Sequence, residues 1–445
     1  MRTARFESLL AEPLRNGLTK PSAVRGTGVK LVNMKEIFSL SRIRNAPMDR
    51  APLEANEVHS LLAPGDLLFA RQSLTLEGAG KCSIFIGDGE PVCFESHIIR
   101  CRLDKKNANP HYYYYYFTSR RGKRSVASIV EQVAAAGIRG RDLARLEVPW
   151  PSLEQQNSVC KVLIALDEKI ELNRQMNETL EAMARALFKS WFVDFDPVRA
   201  KMAGRAPFGM DAATAAMFPS SLASGSEYPA GWVVADLGSL VSVLETGGRP
   251  KGGVRHITCG IPSVGAESIS RVGDFDFSKT RYVPEDYYHA MTKGRVEDRD
   301  VLLYKDGGRP GEFEPHVSMF GDGFPFAKFG INEHVYRIRS RPPVTQAFLY
   351  FQLASDSSLD EMRRRGTGVA IPGLNSTSAR ALSFPLPPAG LVAAFSTVAE
   401  PLLARIFANG KESRTLAELR DLLLPKLLSG ELRIREAERA VEAAL

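Results

Sequence analysis

The residues best placed to do chemistry in this chain are cations, and they cluster beside glycine. Arg120, Arg121, Lys123 and Arg124 fall in one run of five, and Arg363, Arg364 and Arg365 form a second run. Arg71, Gln72, Ser73 and Lys81 bracket a loop that follows GDLLFA (65–70). Arg249 and Lys251 sit in GGRPKGG (247–253), and Lys305, Asp306 and Arg309 in KDGGRPGE (305–312). Glycine lets backbone approach a groove, while Arg and Lys neutralise phosphates or pair with guanine edges, and Gln72 carries the donor–acceptor pair that matches adenine. The runs at 120–124 and 363–365 suit backbone contacts, which position without specifying. Any one of these cations is equally well explained as a solvated side chain; together they point to nucleic acid. A net charge of +7 and a pI of about 9.1 fit that reading without requiring it.

Catalytic constellations are missing. There is no GxxxxGK[ST] loop and no HExxH, and neither glycine-rich stretch follows a strand and opens a helix as a dinucleotide site does. Asp194 and Asp196 beside Pro197 read as a helix exit, and His97, His256, His289 and His334 as satisfied surface or core residues. The run 112–116 is five tyrosines, which suggests base stacking. A core helix is the alternative, and the internal repeat described next favours it. Cysteines 82, 93, 101, 160 and 259 lack ligand spacing and are expected to be reduced thiols of a cytoplasmic protein. No uninterrupted run of 18 apolar residues occurs and the N-terminus does not read as a signal peptide, so no membrane association is expected.

The elements that must hold the loops are two long amphipathic stretches. From Val159 to Trp191, apolar residues recur at steps of three and four (Val162, Leu166, Ile170, Met176, Leu180, Met183, Leu187), which predicts one helix of roughly 50 Å. Displacing the chain by 236 residues lays Val162, Leu166, Ile170, Asn173, Leu180 and Leu187 on Val398, Leu402, Ile406, Asn409, Leu416 and Leu423 without a gap. The run 112–117 falls on FLYFQL (348–353), an apolar segment that a stacking platform does not explain. At 234 residues GDLLFAR (65–71) falls on RDVLLYK (299–305), and at 232 GVKLVNMKEI (28–37), read as a strand, falls on GIPSVGAESI (260–269). The chain is therefore two copies of one unit, a mixed domain followed by a long helix. One such helix cannot bury its stripe alone, but two joined by 197–230, read as a linker, can pair antiparallel. Asn173 and Asn409, polar positions on the stripe, are expected to help set register.

At this point the chain resembles the specificity subunits of type I restriction–modification enzymes. The likeness rests on LEVPWPSLEQQ (146–156), ALDEKIELNRQMNETLEAMARALFKSWFVDFDPV (165–198), GDLLFAR (65–71), GTGVAIPGLN (366–375), FPLPP (384–388) and LRDLLLPKLLSGEL (419–432), and covers nearly the whole chain. It implies an α+β fold: target-recognition domains at 1–148 and 231–384, spacer helices at 149–196 and 385–432 paired antiparallel, and a tail at 433–445. It implies that each domain reads half of a bipartite sequence in double-stranded DNA. On this resemblance Leu166, Ile170, Asn173, Leu180, Leu187, Trp191, Leu402, Ile406, Asn409, Leu416 and Leu423 serve helix pairing and subunit docking, with FKSWF (188–192) a contact for partners. Those partners are two modification subunits, which carry S-adenosylmethionine, and restriction subunits; this chain itself carries no cofactor or metal and is not an enzyme. The adenine-methylating Asn/Asp-Pro-Pro-Tyr/Phe motif of such partners is absent here. The first domain lacks the Trp–Leu–Gly opening of the second (GWVVADLGSL, 231–240) and is expected to be slightly shortened at its edge. The competing classes are a coiled-coil scaffold with two protein-binding domains, and a stand-alone enzyme whose site is spatial only.

Overall fold

The computed structural model describes residues 2–132, 135–309, 311–368 and 372–442; residues 369–371 of the GTGVAIPGLN motif and 443–445 of the tail lie outside them. The chain forms two compact units, Met1–Glu168 with Thr415–Leu445, and Lys169–Arg414. Each contains one mixed domain and a segment of both long helices, so this division runs along a different line from the linear segments.

In the first unit the strand Leu67–Ala70, buried throughout, lies antiparallel between Ile98–Cys101 and Cys82–Gly87; Arg15–Asn16 and Arg42–Arg44 complete the five-stranded sheet. In the second, Val301–Tyr304 lies antiparallel between Val335–Ser340 and Val317–Met319, with Val241–Thr246 outermost. Continuous apolar runs such as LLFA and VLLY suit strands covered on both faces. Next to the central strand each sheet carries the same motif, HIIRCR (97–102) and HVYRIR (334–339), one displaced from the other by 237 residues. In each copy the last arginine of the motif bonds a buried acid, and in the second copy both arginines do. Arg102 grips Asp66 at 2.7 Å, with Glu12 joining Arg102 and the buried Arg100. Arg337 and Arg339 both bond Asp300, the latter at 2.7 Å.

Three expectations change. The segment 28–37 is a strand, Val29–Val32, and then a helix, Met34–Ser39; Asn33 and Glu36 close a capping box that starts the helix where alternation had suggested more strand. The first domain is not short of its opening strand: Thr3–Arg5 pairs with Glu147–Pro149 just as Val233–Asp236 pairs with Ser383–Leu386. The segment 197–230 is more than a linker. It holds the helices Asp196–Met202 and Ala212–Met217, and Val198 and Phe218 are buried, with the Phe218 ring edge-on to Trp191 at 5.3 Å.

The long helices run Leu153–Phe192 and Ala389–Ser429. In the first unit Arg420 bonds Asp167 at 2.8 Å. In the second, Lys169 meets Glu412, Asn177 meets Asn409, and Phe188 meets Phe395, so partners climb one helix as they descend the other: the pair is antiparallel. Leu166, Ile406, Leu416 and Leu423 are buried, and Ile170, Leu180, Leu187 and Leu402 half-buried. The stripe drifts toward the end of the first helix, as a 3.6-residue turn must against a stricter repeat. Met183 is 56% exposed, and Ala184 and Phe188 take its place. The second helix is apolar and long enough by composition to cross a membrane, although no uninterrupted apolar run predicted it. Its Leu391, Val392, Phe395, Ala399, Leu403, Ile406 and Phe407 lie in the core of the second unit, which accounts for that composition. All five cysteines are free thiols and only Cys259 is exposed.

The helix Pro110–Thr118 is capped by Asn109, whose side chain accepts the His111 N–H at 2.9 Å, and Pro110 opens it. Tyr112–Tyr116 are all buried, as is the counterpart helix Gln346–Leu353, so the tyrosine run is core.

Candidate nucleic-acid interface

The tyrosine helix ends at Thr118, and Ser119 caps a second helix, Arg120–Ala127, by accepting the Gly122 N–H. This places four cations on one short helix whose own sequence contains no acid. Arg120, Arg121, Lys123 and Arg124 are exposed and form no ion pair with any described residue. Loop 74–81 packs directly on the helix. A Cβ on Gly80, which has φ +75°, would stand 2.2 Å from Val126 Cγ1, so only glycine permits the approach. Between loop and helix lies an open groove of about 980 Å³. Leu76, Lys81, Arg120, Lys123 and Arg124 line it; Arg121 does not.

The other candidates of the first domain are less free. Gln72 and Ser73 form a short strand opposite Ala136 and Gly137, with Gln72 exposed. Arg71 is half-buried and reaches the Ser96 carbonyl at 3.5 Å. Lys81 donates to the Phe38 carbonyl at 2.7 Å and lies over the Phe38 ring. Burial holds its pKa below the usual lysine value, and nearby Lys123 pushes it further down. Lys81 therefore belongs to the groove wall more than to its charged surface.

The equivalent place in the second domain is built differently. The helix Asp356–Arg365 abuts the hairpin Gly308–Arg309/Glu312–Phe313, where a Cβ on Gly366 would approach Phe313 Cβ to 2.6 Å. Its cations are largely spent within the helix. Arg363 pairs with Asp360 at 2.6 Å and Arg365 with Glu361 at 2.8 Å, leaving Arg364 unpaired among the described residues. Lys251 and Arg309 are exposed without a described partner. Arg249 and Lys305 join a network absent from the sequence reading: Arg249 to Glu333 at 2.9 Å, Glu333 to His334 at 3.5 Å, His334 to Asp306 at 2.6 Å, and Asp306 to Lys305 at 3.1 Å. His334 is thus a linking residue at the loop and not a bystander. Its repeat partner His97 holds the same position, since the carbonyls of His97 and His334 accept the N–H of Arg71 and Lys305 at 2.8 and 2.9 Å. The HIIRCR/HVYRIR match is the signal that would have found both.

Trp191 and Phe192 are buried, against the expectation that FKSWF offers itself to partner subunits. Phe188 and Phe192 pack on Phe348 and Phe395 inside the second unit, with Phe192 and Phe348 rings 5.2 Å apart. Aromatic residues at a helix end had suggested a sticky surface; the fold uses them as core.

Asn173 and Asn409 are fully buried at the helix pair. Asn173 donates to Glu412 at 2.7 Å and to Ser413 at 3.3 Å; Asn409 donates to Asn177 at 2.8 Å. The 236-residue displacement carries Asn173 onto Asn409 and Asn177 onto Ser413, so the repeat exchanges one pair for the other. That is the signature of a local two-fold between the helices.

Residues 60–182, which include the central strand, the loop and cationic helix of the groove and most of the first long helix, match the family model for the type I restriction modification DNA specificity domain. The chain is 26% identical over 302 residues to the MjaIX specificity subunit of Methanocaldococcus jannaschii, covering 67% of this chain and 63% of that protein. The chain thus carries a stretch that matches a type I DNA specificity domain and is similar to type I specificity subunits. A second such subunit, HindI of Haemophilus influenzae, is 24% identical over 341 residues, covering 65% of this chain and 70% of its own. Among solved structures, the type I restriction–modification S subunit from M. genitalium aligns over 96% of this chain and 95% of its own, at 13% identity and a TM-score of 0.48.

Proposed function

We propose that this chain is a type I specificity subunit, a DNA reader without a reaction of its own, each domain recognising half of a bipartite duplex target. The support comes above all from the groove of the first domain, where Arg120, Lys123 and Arg124 line a wall beside a loop held by glycine, without described acidic partners. Free cations on a concave wall release counterions when they meet phosphate, whereas cations already paired within the protein gain little. The antiparallel long helices act as a spacer between the readers. Two modification subunits, holding S-adenosylmethionine, methylate adenine where the readers direct them, and restriction subunits cleave unmodified DNA. The complex works in the cytoplasm on chromosomal and incoming DNA, and this chain supplies neither cofactor nor metal.

The test is a genome-wide map of methylated adenines in cells with and without this chain. The expected result is loss of methylation at one bipartite motif with a spacer of fixed length. A continuous motif, or methyl transfer by the isolated chain, refutes the proposal.

A further inference from the structure

Loop 74–80 presents its apolar residues to solvent. Leu74 is 100% exposed and Leu76 is 54% exposed, although nearby Ala79 is buried. The loop is built to hold them there. Ser73 Oγ accepts the Thr75 N–H at 3.1 Å, and the Gly78 N–H donates to both the carbonyl and the hydroxyl of Thr75. A Cβ on Gly78 would meet Ser73 Oγ at 2.2 Å, and Gly80 locks the loop to Val126 of the cationic helix. The leucines and the cations are thus parts of one fixed element, with Leu76 lining the same groove as Arg120, Lys123 and Arg124.

We infer that Leu74, supported by Leu76, is an apolar wedge that contacts bases in the half-site read by the first domain. This rests on the DNA-reading function proposed above. The charge beside Leu76 selects the occupant: Glu77, Asp167 and Asp421 also line the groove, but Arg120, Lys123 and Arg124 there have no acidic partner among the described residues, which suits a polyanion, and the apolar surfaces of a polyanionic duplex are its base edges, thymine methyls and the steps between stacked bases. The second domain lacks the device. In its equivalent loop Phe313 is buried against Tyr304, and no large apolar side chain among the described residues between 305 and 316 is exposed. The wedge therefore marks one half-site only.

The test uses the full chain, in the complex in which it is isolated, on duplexes of the mapped target with 2-aminopurine placed singly through both halves. The wild-type chain is expected to raise fluorescence at a step in one half-site alone. Leu74→Ser should abolish that signal and weaken binding about tenfold. The slope of log affinity against log salt should stay unchanged, because no phosphate contact is lost; Leu74→Met should restore both signal and affinity. Unchanged affinity and fluorescence in Leu74→Ser overturn the inference, as does a lowered salt slope. Loss of a partner subunit with DNA binding intact overturns it in favour of a protein contact. Failure of the wild-type chain to bind any duplex overturns the DNA-reading function itself, and the wedge with it.

Discussion

Replacing Arg120, Lys123 and Arg124 by glutamine removes three cations that line the groove of the first domain and leaves Lys81 in its wall. All three are exposed and unpaired among the described residues, and glutamine has nearly their helix propensity, so the melting temperature should hold. Each phosphate contact contributes about 0.9 to the slope of log affinity against log salt, so three contacts account for about 2.7. At about 0.15 M salt that corresponds to a loss on the order of a hundredfold in affinity, shrinking as salt rises toward 1 M. The assay is a salt titration of duplex binding by fluorescence anisotropy. The matched control is Arg363→Gln with Arg365→Gln, where the cations already pair with Asp360 and Glu361; the slope there should barely move. An unchanged slope in the triple variant refutes the assignment of the groove to DNA. An equal fall in both variants refutes the argument that intrahelical pairing silences the second cluster.

Three further outcomes follow from buried polar groups. Asn173→Ala strips Glu412 and Ser413 of their shared donor and should cost roughly 1–3 kcal/mol in urea unfolding, whereas higher stability in Asn173→Leu would show that the asparagine has no register role. Asp167→Ala removes the acceptor of the Tyr115 hydroxyl, now bonded at 2.6 Å, and one of the two acids of Arg420 and of Arg42, which keep Asp421 and Glu168; a loss of about 1–3 kcal/mol is expected by chemical denaturation, and unchanged stability contradicts the buried-acid reading. The hydrogen bond from Arg44, then that from Arg42, holds the Glu168 carboxyl below its usual value despite an opposing contribution from burial. A lowered carboxylate stabilises the fold above the unfolded pKa of about 4.3 and loses that contribution as pH falls through its folded value. Glu168→Gln should therefore flatten the fall in stability below about pH 4.5, measured by thermal melts across pH, and an identical acid limb in both proteins would refute the linkage.

The helices were legible because their signal is local. A 3.6-residue period and a gap-free displacement need no knowledge of what packs where. The drift from Met183 to Ala184 and Phe188 was not legible, since it depends on which neighbour the helix meets: Phe348 and Phe395 come from distant segments. The packing of 197–230 was hidden in the same way, its Ala, Gly and Pro content masking two short helices anchored by Val198 and Phe218. The difference between the two arginine clusters was available all along. Asp360 and Glu361 stand three and four residues before Arg363 and Arg365, the spacing at which helical ion pairs form, while RRGKR has no acid within a helical turn.

On the proposed function, that difference bears on how the two halves of one repeat would read different DNA. Inside each sheet the copies are held alike: Asp66 with Arg102, and Asp300 with Arg337 and Arg339, join a buried acid to arginines of the same motif, so a change of one partner alone is costly there. At the loop after the central strand no such constraint acts. The first copy places Gln72 and two exposed leucines beside free cations. The second places Asp306 in a network with His334, Glu333 and Arg249. An acid at the position where its counterpart carries an amide, reached through the same strand and the same backbone bond to histidine, changes what the loop can accept without changing what holds it. Exchange of loop 71–81 for 305–314 should then transfer base preference between half-sites while the melting temperature stays near that of the wild type. A swapped protein that folds but keeps the original bipartite motif would place the reading residues elsewhere.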